Sequence, residues 1–141
     1  MEILKGKTIK EINLGDKASY SRTVTEADVL LFGSVSGDLN PAHFDEEYSK
    51  NTIFKGRISH GMLSSSYISA VLGMQLPGPG TIYLSQELKF ISPVRFGDTI
   101  TAMVEVIEKV EGKNRIVLDT TCINQHGNIV VNGKAVVMPP K

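Results

Sequence analysis

The sequence predicts an α+β fold in which a long antiparallel sheet wraps around a central buried helix. Three observations carry this expectation. Residues 59–74 keep a helical pattern without one charged side chain, and a helix of about four turns with no charge has no wide face to offer water. From Ile82 onward the apolar period falls from about 3.6 residues to 2. That second half is interrupted by Phe96-Gly97-Asp98, Glu111-Gly112-Lys113-Asn114 and His126-Gly127-Asn128, turn clusters that read as hairpin connections and hence antiparallel pairing.

Taken in order, residues 1–24 form an edge segment whose last part, 18–24, alternates in polarity. A helix starts at Thr25, where Thr25-Glu26-Ala27-Asp28 resembles a capping box. Val29, Phe32 and Ser36 mark its inner face, with Leu30 and Gly33 beside them, and Gly37 is a natural stop. Asp45 is placed to cap a short second helix over 46–50. The long helix follows, rich in Gly61, Ser64, Ser65, Ser66, Ser69, Ala70 and Gly73. These are mostly poor helix formers, so tertiary packing must hold it, and its lack of charge predicts burial nearly all round. Leu76-Pro77-Gly78-Pro79-Gly80 ends it. Strands are expected over 82–91 (broken by Pro93), 100–106, 116–123 and 129–138, joined in succession by hairpins. With 141 residues and no repeat or linker, the chain is read as one domain, 1–141.

Composition narrows the function classes. Fifteen lysines and arginines balance fifteen aspartates and glutamates, so there is no excess charge to attract nucleic acid or an anionic membrane. Met1-Glu2-Ile3-Leu4-Lys5 lacks the apolar core of a signal peptide, and no stretch approaches a spanning length. The single cysteine, Cys122, excludes an internal disulfide and suits a reducing compartment, so a cytoplasmic location is expected. It falls in a strand pattern and reads as a buried thiol. His60 and His126 do not combine with it at a zinc-ligand spacing, so no metal and no resident cofactor are expected.

The chemistry concentrates in Ser36-Gly37-Asp38-Leu39-Asn40-Pro41-Ala42-His43. Asn40-Pro41 is a turn signal, and proline disfavours helical geometry in the residue before it. Asp38 and His43 are thereby expected to point at one small volume. The plainer alternative is an Asx-type turn with a solvated carboxylate and a surface imidazole. Downstream, the first amides of the long helix lack intrahelical partners and favour negative charge. Gly61 lets a ligand approach that backbone, so its N–H suits a carbonyl oxygen gaining charge. A histidine with an ordinary pKa near 6.5 suits proton removal from water at neutral pH. An acid/base pair facing such a donor fits water addition across a double bond conjugated to a carbonyl, or the reverse dehydration. On the helical wheel Ser65, Ser69 and Leu72 lie within about 80° of Gly61, which predicts a substrate groove. The alternative for the serines is close packing with hydroxyls bonded back to helix carbonyls.

The octapeptide at 36–43, with Ser49 after it, resembles the hydratase 2 motif of MaoC-like (R)-specific enoyl-CoA hydratases. Ile58-Ser59-His60-Gly61-Met62-Leu63 is similar to that family's central-helix start, and 75–78 and 83–86 are also similar to its small bacterial members. The resemblance spans essentially the whole chain, with Ala42 standing where the family has a larger aliphatic residue. It implies a hot-dog fold, a homodimer with active sites near the interface, and acyl-CoA thioester substrates, with acyl carrier protein as the alternative carrier. It implies Asp38 and His43 as the catalytic pair, Gly61 as oxyanion donor and Ser69 as an acyl-pocket position; Asn40, Ser65 and Leu72 are further expected substrate-binding positions. CoA is then part of the substrate. His60 is expected to bond backbone near the helix start. Two rival functions are a hot-dog acyl-CoA thioesterase and a non-catalytic acyl-thioester-binding subunit. Hot-dog thioesterases lack this loop, and a non-catalytic subunit has no need to keep both Asp38 and His43.

Overall fold

In a computed structural model of residues 1–141, the chain runs β1 (Lys17–Thr23), α1 (Glu26–Ser36), α2 (Pro41–Phe44), α3 (Glu46–Ser49) and α4 (Gly61–Met74). It continues through β2 (Ile82–Gln86), β3 (Lys89–Phe90), β4 (Thr99–Val110), a 3₁₀ turn at Glu111–Lys113, β5 (Arg115–Ile123) and β6 (Ile129–Met138). The strands form one antiparallel sheet in the order β1-β4-β5-β6-β2, with β3 also on β6. Alternate residues of β4, β5 and β6, among them Ile100, Val104, Leu118 and Val137, are buried with Ile68, Val71 and Leu72 of α4 in one apolar cluster. This is the hot-dog arrangement of a sheet curved around a helix. No helix is long and apolar enough to cross a membrane.

Two of the three expected hairpins form, β4–β5 and β5–β6. The third does not, because β2 and β3 lie on β6 and β1 occupies the outer edge of β4, pairing Lys17 with Glu105. The connection over 91–98 contains Pro93 and exceeds the 2–5 residues of an ordinary hairpin loop. It docks on the end of β1 instead, through Gly97 N–H to Val24 O at 2.7 Å and Val24 N–H to Asp98 O at 2.8 Å. The expected strand over 82–91 also splits between β2 and β3. There Gly133 lets the Glu87 backbone cross so closely that a Cβ would lie 1.7 Å from Glu87 O.

The helices follow their sequence signals at the ends more closely than around their circumference. Thr25 and Asp28 form the reciprocal capping box, and Gly37 closes α1 at φ +80°. The inner face of α1 is Asp28, Val29 and Gly33, while Leu30 and Ser36 are exposed. Arg22 holds the Asp28 carboxylate at 2.6 Å and so draws that side of the helix toward β1. Nor is α4 covered all round, since Met62, Ser66, Ser69 and Met74 are exposed. A single sheet covers one side of a helix, and the strip facing away from it stays open. Cys122 is buried as expected, and burial pushes its thiol up to about 12.

Candidate active site

The loop between α1 and α2 presents Asp38. Its conformation is fixed by a relay of short-range bonds: Asp38 N–H to Ser36 Oγ at 3.1 Å, Asn40 N–H to Asp38 Oδ1 at 3.2 Å, and Ala42 N–H to Asn40 Oδ1 at 3.1 Å. Asn40 thus caps α2, and Pro41 opens it at a position that needs no N–H. The turn signal therefore ends in a single helical turn, which carries the buried His43. Ser49, itself fully buried, braces that turn from α3 by donating to Pro41 O at 3.1 Å.

His43 Nδ1 lies 2.8 Å from Ile58 O. A carbonyl oxygen only accepts, so Nδ1 carries the proton and Nε2 keeps its lone pair. Burial holds the His43 pKa below the ordinary imidazole value; the Ile58 bond opposes this, neighbouring His60 adds to it, and the Asp38 carboxylate opposes it. At neutral pH the ring is an uncharged base.

Asp38, His43 and Gly61 share the wall of a recess of about 330 Å³ with Phe90, Ile91 and Val131. One carboxylate oxygen of Asp38 and one nitrogen from each of His43 and His60 lie within 4.8 Å of one another. Such spacing leaves room for a bridging water. The His43 and His60 rings lie against each other, centroids 3.8 Å apart and tilted by 32°. At the start of α4 no side chain caps the helix, and the Gly61 N–H finds no acceptor in the chain, so a developing oxyanion meets an open donor. Gly61 also gives Phe90 its place, because a Cβ there would lie 2.5 and 2.7 Å from the Phe90 ring carbons and the ring would have to move.

A second recess of about 370 Å³ follows α4, with Met62 in the walls of both. Ser65 and Ser69 line it with Phe32, Tyr83 and Gln86. The Ser65 hydroxyl bonds back to Gly61 O at 3.0 Å, as the packing alternative anticipated, while Ser69 is exposed to the recess. Leu72 corrects the sequence reading. Leu72 is 1% exposed and belongs to the core rather than to either recess wall. The open strip of α4 follows Met62, Ser66 and Ser69, centred about 90° round the helix from Leu72, so Leu72 turns into the core beneath the sheet. Asn40 spends its side-chain oxygen on the α2 cap and lines neither recess.

Sequence reasoning missed three contributors. The Ile58 carbonyl fixes the His43 tautomer, and every residue type has a carbonyl, so no sequence signal marks it. Phe90 covers Gly61, yet in sequence it is one apolar strand residue among several. Met62 stands between the recesses, and only its place one residue after Gly61 hinted at it.

Comparison with known proteins shows the family. The sequence profile described as MaoC like domain matches residues 10–127. The chain is 50% identical to an (R)-specific enoyl-CoA hydratase of Rhodospirillum rubrum over 131 residues, covering 93% of this chain and 90% of that protein. It is 39% identical to a 3-hydroxybutyryl-CoA dehydratase of Methylorubrum extorquens over 132 residues, covering 94% and 83%. Among solved structures, the unliganded R-hydratase PhaJ1 from Pseudomonas aeruginosa superimposes with a TM-score of 0.90 at 47% identity, over 96% of this chain and 87% of that one.

Proposed function

The chain belongs to the MaoC-like domain family, and from that premise we propose that it is an (R)-specific enoyl-CoA hydratase. It adds water reversibly to a trans-2-enoyl-CoA and yields the (R)-3-hydroxyacyl-CoA. The observation that carries the reading is His43, a neutral base whose free Nε2 shares a recess with the Asp38 carboxylate and the open Gly61 N–H. Water gives a proton to His43 as its oxygen bonds to the β-carbon. Negative charge gathers on the thioester oxygen, which the Gly61 N–H stabilises. Asp38 orients the water, whose second proton stays on the new β-hydroxyl, and the proton that His43 took is delivered to the α-carbon as the carbonyl re-forms, leaving both side chains as they began. Acid/base groups suffice for every step, and CoA arrives as part of the substrate. The recess along Ser65 and Ser69 takes the acyl chain.

Loss of enoyl absorbance from crotonyl-CoA, measured beside thiol release from a saturated acyl-CoA, tests this function. Hydration without thiol release is expected. Thiol release without hydration would make the protein a thioesterase, and binding without either reaction would make it a non-catalytic subunit. Running the same enoyl group on acyl carrier protein separates the two carriers, with CoA expected to be the better.

A homodimer is part of the proposal. β2 ends the sheet and exposes Ile82 (53%), Tyr83 and Leu84, and an apolar sheet edge invites pairing. A second copy joined there would lengthen the sheet and lie close to the second recess, which Tyr83 and Leu84 also line. Sedimentation at micromolar concentration should give twice the 15.4 kDa chain mass; an active monomer would refute it.

A further inference from the structure

We propose that His60 is a positioning residue, whose imidazole holds Asp38 and His43 in register with the Gly61 N–H. This goes beyond the hydratase reading and rests on it for its kinetic readouts. His60 occupies the cap position of α4 yet makes no side-chain bond to that helix. Its ring turns to the catalytic loop, where Nε2 lies 2.9 Å from the main-chain oxygen of Asp38. That oxygen only accepts, so Nε2–H donates. The ring is 2% exposed and stacks on His43, with Phe32 at 4.8 Å and Phe44 at 5.7 Å between centroids.

Two further observations separate this from plain packing. Nδ1 of His60 is buried without a partner, an unfavourable arrangement that a leucine or phenylalanine of similar volume would avoid. What imidazole supplies and hydrocarbon does not is the N–H to Asp38. Within residues 38–40, moreover, that bond is the one reaching in from beyond the α1–α2 segment, the others being local. Because His60 directly precedes Gly61, one residue ties together the loop carrying the carboxylate, the ring of the base and the donor amide.

The test compares His60→Phe, His60→Gln and His60→Asn with wild type in crotonyl-CoA hydration, thermal unfolding and amide hydrogen exchange. A glutamine amide reaches the place of Nε2, whereas an asparagine amide falls near that of Nδ1. His60→Phe should lower kcat by roughly tenfold to a hundredfold, the scale of a misplaced catalytic group. KM should stay within about threefold, since substrate contacts survive. His60→Gln should recover most of the loss and His60→Asn little of it. The Leu39 and Asn40 amides should exchange faster in the Phe and Asn variants. In the Phe background, Asp38→Asn should cost less than it does alone, because both changes act on one carboxylate. Wild-type kcat in His60→Phe, or equal losses in Gln and Asn, would overturn the proposal. Should His60→Phe fail to fold, the Gln and Asn pair decides. Failure of wild type to hydrate crotonyl-CoA would refute the functional reading, while the exchange measurements would still test His60.

Discussion

Replacing Gly33 by alanine sets two effects of known sign against each other. Gly33 is inside α1, where alanine is favoured over glycine by about 1 kcal/mol. Its added Cβ would lie 2.4 Å from Phe44 Cζ and 3.1 Å from Cε2, with Asp38 O at 3.3 Å. Carbon atoms in contact rest about 3.5–4.0 Å apart, so the Phe44 ring must withdraw by about 1 Å. It has little freedom to do so, standing edge-on to His43 and His60 at centroid distances of 6.4 and 5.7 Å. Overpacking of this kind costs about 1–3 kcal/mol, which exceeds the helix term. Gly33→Ala is therefore expected to be neutral to about 2 kcal/mol destabilising, a fall in Tm of up to roughly 8 °C for a domain of this size. Its kcat should fall by roughly tenfold to a hundredfold, because the displaced ring borders both histidines. Thermal unfolding and crotonyl-CoA hydration read the two effects. Adding Phe44→Leu removes the obstructing ring, so the double variant should be more stable than the sum of the single changes implies. Gly33→Ala melting above wild type with kcat intact, or strict additivity with Phe44→Leu, would refute the reasoning.

Asp38→Asn and His43→Gln should each lower turnover by about two to four orders of magnitude without unfolding the protein, and the double variant should lose less than the product, as steady-state kinetics will show. Because burial lowers the His43 pKa, the acid limb of kcat/KM should have its midpoint below the ordinary value of about 6.5. The same shift makes the folded state bind fewer protons than the unfolded one, so His43 leaves stability whole above about pH 6.5 and subtracts from it as pH falls toward the folded pKa. Chemical denaturation of wild type and His43→Gln across that window checks the sign. Leu72→Ala should destabilise by about 2–5 kcal/mol, since a fully buried leucine leaves a cavity; a change under about 1 kcal/mol by denaturant titration would contradict its core placement. Ser69→Phe should fill the second recess and lower kcat/KM for six-carbon relative to four-carbon enoyl-CoA, whereas an unchanged ratio would place the acyl chain elsewhere.

Local chemistry made much of this protein legible in sequence. Thr25, Asp28, Gly37 and Asp45 placed helix ends because caps are decided by residues within one turn. The alternation over 100–106, 116–123 and 129–138 placed three strands because side chains on a strand alternate between faces. The spacing of Asp38 and His43 around Asn40-Pro41, with Gly61 opening an uncharged helix, was enough to nominate the three groups that the recess brings together.

Tertiary structure decided whatever depends on contacts between distant segments. Pairing of β2 with β6 was hidden because periodicity reports which face of a strand is buried, not which strand lies beside it. The placement of Leu72 had the same origin, since a helical wheel gives angles but not the direction from which the sheet approaches. The proton on His43 is fixed by the carbonyl of Ile58, fifteen residues away, and the Asp38 loop is tied down by His60, twenty-two residues away. Sequence chose the reacting groups, which are properties of single residues, while the fold set their protonation and distances, which depend on backbone atoms common to every residue.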